Sequence, residues 1–578
     1  MATSPIGDKP YRELTIASVV FGVLVGCLMT SAFVYIALKL GFGLAGSTVA
    51  AILGFAVLRG ALRNGSIVEN NINQTVASGV NNASSGIAFT FPALFLLREN
   101  GVIDDFSFWP VMLAALGGSF LGIAFIIPLR KQMIEFERLT FPSGIAVASL
   151  LRSPGAGARQ AKLLGMGFAV AATFHALSSA GLMPEEIDIG HMFGLPMYIQ
   201  VGFAVSFASL GAGMLSGKGG LPFILGGVLA WWVIAPIAVY TGAVPGPEAF
   251  GLATAPAGYD AWATWDVIYF QMLRPLGIGV LIGGALSGVV ASFPALKAAI
   301  GSLANSSKMG GTSDQELPLS VLIAGVVASI FVLFLAAKLS SDLSAARCLL
   351  TAVVGTAWLA LAGLIVAQAT GMTDISPISG MSLIGVTIMF FLTGGNAVPA
   401  ITLGVAVSIG IGQCADMMSD LKAGHLIGAT PRKQQIAQFA VAWIGVPVAI
   451  GVVYLIWEGI GFGPGQELSA PQADALAGIV TALGDGAVPL DKYGAGAALG
   501  LALGVFPISG LGVLVGLAMY LPFFITVTYG IGAVIGMVAL KVKGKAWIGS
   551  TLVPVAAGCI IGEALTSLVA VLLKLAFG

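Results

Sequence analysis

Long apolar runs follow one another along most of the chain, at 14–40, 43–62, 72–97, 110–129, 140–151, 161–183, 196–216, 221–242, 272–296, 318–337, 348–370, 378–412, 436–457, 493–540 and 546–577. A run of about 20 apolar residues crosses a hydrocarbon core of roughly 30 Å as a helix, so most of them read as membrane spans. The run at 378–412 is long enough for two spans and that at 493–540 for two or three, whereas 140–151 is too short to cross and reads as re-entrant. By length the pattern predicts an all-α polytopic membrane helical bundle of about 14–16 transmembrane helices, with broken or re-entrant segments.

The segments between the runs alternate in sign. Basic ones hold Arg59 and Arg63, Arg130 to Lys162, Lys218, Lys297 and Lys308, Lys422 to Lys433, and Lys541, Lys543 and Lys545. Acidic ones hold Asp104 and Asp105, Glu185, Glu186 and Asp188, Glu248 to Asp266, and Glu458 to Asp491. Cationic loops stay in the cytoplasm, so residues 1–13 form a cytoplasmic N-terminus and the long loops 243–271 and 458–492 lie outside. No loop reaches the roughly 40 residues that a self-stable fold needs. Residues 14–578 therefore read as one transmembrane domain, with halves of roughly 14–316 and 317–578. Two echoes support internal repeats: FPAL at 91–94 and 293–296, and PISG at 377–380 and 507–510, the second pair with matching apolar continuations.

Polar side chains interrupt this pattern where lipid least tolerates them. Along Asn70–Leu94, at 100° per residue, Asn70, Asn73, Gln74, Ser78, Asn81 and Ser85 share one face, five of them within an arc of about 80° and Asn73 about 60° to its side. Such a stripe must face protein or water, because unpartnered amides cost several kcal/mol each in hydrocarbon. Interhelical hydrogen bonding would use some of these groups; six on one face point to a hydrophilic solute route. A second cluster, Gln413, Asp416 and Asp420, shares one face at i, i+3 and i+7 at the end of an apolar run. It reads either as a solvated helix end or as a gate or site mouth. Asp374, Asn396 and Glu563 stand singly in or beside apolar runs, and an intramembrane carboxylate is a functional candidate, often a proton relay.

Composition narrows the field. Only 9% of the 578 residues are charged and 57% are hydrophobic, against roughly 25% charged in soluble proteins. The 26 basic and 26 acidic residues balance, so there is no nucleic-acid footprint. The four cysteines (27, 348, 414, 559) and three histidines (175, 191, 425) are scattered, which predicts neither a disulfide framework nor a metal site. The first run is too long for a signal-peptide core and reads as a retained span. Gly211–Gly220 (GAGMLSGKGG) lacks the spacing and the Ser or Thr of a phosphate loop, no HExxH occurs, and no catalytic pairing is visible. An enzyme is not expected, nor any cofactor.

Six segments, NQTVASGVNNASSGIAFTFPAL, ERLTFPSGIAVASLL, DISPISGMSLIG, QCADMMSDLKAGHLIGATPRKQQIAQ, LPFFITVTYG and IIGEALTSL, occur in this order over nearly the full length. Together they resemble the oligopeptide transporter superfamily, which includes the yellow-stripe-like metal–chelate carriers, and its bacterial branch in particular. The resemblance implies a duplicated bundle of about sixteen spans, in the bacterial cytoplasmic membrane, that takes up peptides or peptide-like metal chelates by proton coupling. On that expectation Asn73, Gln74, Ser78, Asn81 and Asn82 line the route. Asn396, Gln413, Asp416 and Asp374 face it from the second half, and Asp374 or Glu563 takes the proton. An uncoupled channel or facilitator, and a membrane enzyme or scaffold, are the alternatives. A homodimer is compatible with the size.

Overall fold

The computed structural model describes residues 13–41, 47–54, 58, 66–152, 156–196, 198–243, 265–291, 316–373, 376, 378–484, 489–506 and 511–577. Asp374, Pro377 and the PISG segment at 507–510 lie outside the described residues. The elements that frame the site are, in chain order, α1 (Ile16–Leu40), α2 (Ser47–Gly54), α3 (Ile67–Glu99), α4 (Phe108–Leu129), α5 (Ala156–Ser179), β1 (Glu186–Asp188), β2 (Gly202–Ala204), α6 (Phe207–Ser216) and α7 (residues 221–240). They continue with α8 (Ala397–Ile427), α9 (Pro431–Val441), α10 (Gly445–Gly459), α11 (Phe523–Trp547) and α12 (Val553–Phe577).

Helix ends follow local chemistry. Thr15 and Ser66 each cap a helix with a reciprocal box, to Ser18 and Glu69 respectively. Gly41 and Gly428 close α1 and α8 in the left-handed conformation, which a glycine adopts without a Cβ penalty.

Ten described helices are long and apolar enough to cross a membrane, or eleven if α9 and α10, bent by 42°, are one span. That is fewer than the pattern of apolar runs suggested, because some runs are broken into shorter helices and others lie partly outside the described residues. The helix Ile378–Leu392 and the helix Leu511–Tyr520, for example, are apolar but have only 15 and 10 residues.

Helices α3 and α8 form the centre, each with 94% of its apolar window buried; the helix Leu319–Leu339, with 22% buried, presents its apolar surface outward, as a lipid-facing helix does. With little hydrophobic drive between helices in lipid, close backbone approach holds the bundle together. A methyl group at Gly118 would lie 2.1 Å from Ala406 O, and one at Gly122 would lie 2.2 Å from Gly410 O, so α4 meets α8 along a seam without room for side chains.

The strands β1 and β2 pair antiparallel, Glu186 opposite Ala204, and were not anticipated from the apolar pattern. They lead into α6, whose direction is fixed by its contacts with α11. Thr528 Oγ1 donates to Ala204 O at 2.7 Å, and Gly532 and Gly536 abut the carbonyls of Leu210 and Met214. Beyond Gly217, Gly220 abuts Ala533, Ile224 abuts Gly530, and Gly227 abuts Thr526. Ala204 and Gly227 thus lie on the same turn of α11. A straight helix would separate them by over 30 Å, at about 1.5 Å per residue. The chain therefore reverses at Gly217, whose φ is 51°. Although residues 207–240 pass as one 34-residue apolar helix by composition, α6 is a half-helix of 10 residues.

Candidate functional site

The polar stripe of α3 is wholly interior: Asn73 and Gln74 are 0% exposed, Ser78 4%, Asn81 6% and Asn82 3%. The descending helix α2 covers one side of it. Asn70 and Asn73 donate to Ala51 O and Ala50 O at 3.1 and 3.2 Å, which is possible because Gly54 has no side chain in their way. On the other side Gln74 donates to Asp420 of α8, which also accepts from Ser47 at 3.1 Å. Ser47 bonds Ser78 at 3.3 Å. Asp420 is 1% exposed, and no Lys or Arg among the described residues pairs with it.

A second knot lies farther along the same helices. Gln413 donates to Ser119 Oγ at 3.1 Å and to Gly79 O at 3.3 Å, and accepts from Gln438 at 3.1 Å. With the Asn82 amide turned to satisfy both its ends, it donates to Asp416 Oδ2 at 2.8 Å and accepts from the Gln413 N–H at 2.7 Å. Asn81 accepts from Ser84 at 3.4 Å. One turn before Gln438, Gln434 donates to Thr75 Oγ1 at 2.9 Å and to Asp420 O at 3.0 Å. The amides of three helices, α3, α8 and α9, and the Ser119 hydroxyl of α4 thus meet in one polar seam.

That seam is not saturated. Among the described residues, Asn70 Oδ1, both amide atoms of Asn71, Asn73 Oδ1, Gln74 Oε1, Asp420 Oδ2, Gln434 Oε1 and Gln438 Oε1 are buried with no hydrogen-bond partner. Each such orphan costs about 1–3 kcal/mol. Native interiors hold few of them, and a functional cause is sought for each.

Glu563 belongs to a different cluster, where the first and last long helices of the chain meet. Its Oε1 is 3.0 Å from Lys39 Nζ and accepts from Ser206 Oγ at 2.9 Å, while its Oε2 accepts from Ala208 N at 2.9 Å in the first turn of α6. Lys39 also contacts Glu467 Oε1 at 3.3 Å, and Tyr35 OH donates to that same oxygen at 2.9 Å. Burial works against the Glu467 carboxylate, but Lys39 and the Tyr35 hydroxyl outweigh it and hold the group below its ordinary value.

Of these residues Lys39, Ser206, Glu467 and Glu563 line a cavity of about 340 Å³, whose other lining includes His175, Glu185, Glu186, Gln200, Gln466 and Phe524. Partial burial, and then the neighbouring Glu185, push the Glu186 carboxyl up. Among the described residues no three His, Cys, Asp or Glu side chains converge as metal ligands.

Of the residues singled out from sequence, the structure brings Gln74 and Ser78 to Asp420, Asn73 to the Ala50 carbonyl of α2, and Asn82 to Gln413 and Asp416. Asn396 stands apart: it is exposed and caps α8, accepting from Val398 N at 3.2 Å, seventeen residues before Gln413. Asp374 lies outside the described residues. Asp420 was singled out with Gln413 and Asp416 as a possible gate; Lys39, Tyr35, Glu467, Gln434 and Gln438 were not singled out as site residues. The signal available for the last two was their spacing of four, which puts both on one face of a helix.

The profile of the OPT oligopeptide transporter proteins matches residues 13–574. A Haemophilus influenzae protein that carries an oligopeptide-transporter name is 29% identical, over 93% of this chain and 91% of its own. The maize iron-phytosiderophore transporter yellow stripe 1 is 24% identical, over 78% and 72%. A metal-nicotianamine transporter of Arabidopsis thaliana is 25% identical, over 79% and 74%. Full-length agreement with these relatives, joined to the apolar helical bundle, places the chain in the OPT oligopeptide transporter family, as a multi-pass membrane transporter and not an enzyme.

Proposed function

We propose that the protein is a secondary active transporter of oligopeptides or peptide-like metal chelates, driven by protons across a bacterial cytoplasmic membrane with the N-terminus inside. The observation that carries this reading is the unsaturated amide seam. Amides each offer a donor and an acceptor, as peptide backbone groups do. Orphaned atoms in the occluded arrangement acquire partners when helices part and a hydrated solute passes. The names of the relatives supply the substrate classes. In the working cycle Asn73, Gln74, Ser78, Asn81 and Asn82 form one wall of the route, and Gln413 and Asp416 the other.

Proton coupling needs a carboxyl group that exchanges its proton as the route opens. Glu563 is engaged by Lys39, Ser206 and the Ala208 N–H, all donors to a carboxylate. Among the described residues Asp420 has no cation beside it and one oxygen without a partner, and its amide and hydroxyl neighbours accommodate either protonation state. It is the better carrier of the coupling proton, with Asp374 as the other candidate.

Two measurements in proteoliposomes test the reading. Asn73→Ala with Gln74→Ala lowers uptake at least tenfold while the protein stays folded; uptake at the wild-type rate makes the seam purely structural. Asp420→Asn retains substrate exchange at equal concentrations but abolishes accumulation driven by an inward pH gradient. Wild-type flux indifferent to that gradient sinks the coupling and leaves a facilitator.

A further inference from the structure

Lys39 faces one carboxylate more than it needs. In a low-dielectric interior a buried cation is neutralised by one well-bonded anion, and Glu563 meets that need: it is 2% exposed and held through both oxygens by three donors. Glu467 is held differently. Its side chain is 36% exposed, and the described hydrogen bonds engage one oxygen, through Tyr35 OH and Lys39 Nζ. It rides on a turn in which Gly461, Gly463 and Gly465 all take positive φ, 75°, 136° and 79°, so the backbone carrying it is built of tight glycine bends rather than of helix or sheet.

Take Glu467 away, and two convergent donors remain, Lys39 Nζ in the lining of the 340 Å³ cavity and the buried Tyr35 OH 3.3 Å from it; the volume is in the range of small-molecule sites. An ammonium and a phenol hydroxyl aimed at one point suit a carboxylate. Around the rest of the cavity Glu185, Glu186, Gln200 and Gln466 offer acceptors and negative charge, and His175 stands among them. A solute with a carboxylate at one end and an ammonium at the other matches both parts. A bare metal ion does not, since the acidic side chains do not converge as ligands.

We propose that Lys39 Nζ and Tyr35 OH form a receptor for the carboxylate of an incoming zwitterionic, amino-acid-based solute, and that Glu467 occupies this receptor as an internal stand-in until the solute displaces it. Glu563 keeps Lys39 in place and charged throughout. The exchange is carboxylate for carboxylate, so it leaves the charge at Lys39 unchanged and costs no new desolvation of a cation. The proposal rests on the transport reading for its choice of solute class.

The test uses the full chain in lipid nanodiscs, with trialanine and its C-terminal amide as probes and calorimetry as the readout. Wild type binds trialanine at least tenfold more tightly than the amide, about the worth of one charge-assisted contact. Glu467→Gln, which removes the competitor, tightens trialanine binding severalfold and leaves the amide unaffected. Tyr35→Phe weakens trialanine severalfold and needs no charge to be removed, so it does not depend on a disrupted ion pair. Equal binding of acid and amide, no gain in Glu467→Gln, or failure of wild type to bind trialanine overturns the receptor. Uptake measured in parallel separates the two ideas. Uptake of trialanine without acid selectivity sinks the receptor alone, and the expected selectivity without uptake sinks the transport reading alone.

Discussion

The two glutamates on Lys39 show how residues with the same chemistry take different duties from their surroundings. Glu563 is fixed by a helix end and a serine; Glu467 is tied by its attraction to Lys39 and Tyr35. For Glu467 the folded-state carboxyl value lies below the ordinary one. A group of that kind adds stability at pH above its unfolded value, and the contribution disappears as pH falls through the folded value. The Tm of the wild type in detergent is therefore expected to drop more steeply on acidification below about pH 4.5 than that of Glu467→Gln, the ordinary carboxyl value being 4.5. Parallel acid limbs for the two proteins would show that the Lys39–Glu467 contact adds nothing in solution. Glu563 was legible in the sequence as the sole acid of the last span. Lys39 was not, because a lysine one residue from the end of an apolar run reads as an ordinary flank, and its partner lies 524 positions away.

Among the elements, the seam between α4 and α8 and the reversal at Gly217 carry most of the architecture. Along α4 the glycines are spaced as Gly118 and Gly122, one helical turn apart, and each sits on a carbonyl of α8. Gly122→Val has to push apart two backbones beside Gln413, and overpacking of this kind costs about 1–3 kcal/mol. The expected result is a lowered Tm together with reduced uptake, since Gln413 and Ser119 flank the seam; unchanged Tm and uptake would mean the helices are free to separate there. The helical period of the α3 stripe was readable because the amides recur on one face. The partners that meet it were not, since Gln434 and Gln438 follow a basic, Pro-containing stretch that reads as a loop. The half-helix α6 escaped for a different reason: the break after residue 216 was visible, but the run 196–216 is long enough for a span, and hydropathy does not show that a strand of three residues takes up its first part and leaves a helix of only 10.

For the molecule as a whole, charge alternation and the proposed route make one geometric demand: the Lys39 cavity and the loop bearing Glu467 face the outside, and the turn between α8 and α9 faces the cytoplasm. In a background freed of its four cysteines, Gln466→Cys is expected to react with a membrane-impermeant thiol reagent on intact cells, and Arg432→Cys only after permeabilisation. The opposite pattern inverts the orientation. The ion pair between α1 and α12 also bears on how the molecule is made. Lys39 enters the bilayer at the start of synthesis; Glu563, the buried one of its two carboxylates, arrives only with the final helix, and the first, Glu467, 428 residues after the lysine. Until then an ammonium waits in the membrane at a cost of several kcal/mol. A chain that stops short of residue 563 leaves Lys39 with Glu467 alone, the looser of its two carboxylates, so the last helix completes the neutralisation that the first one calls for.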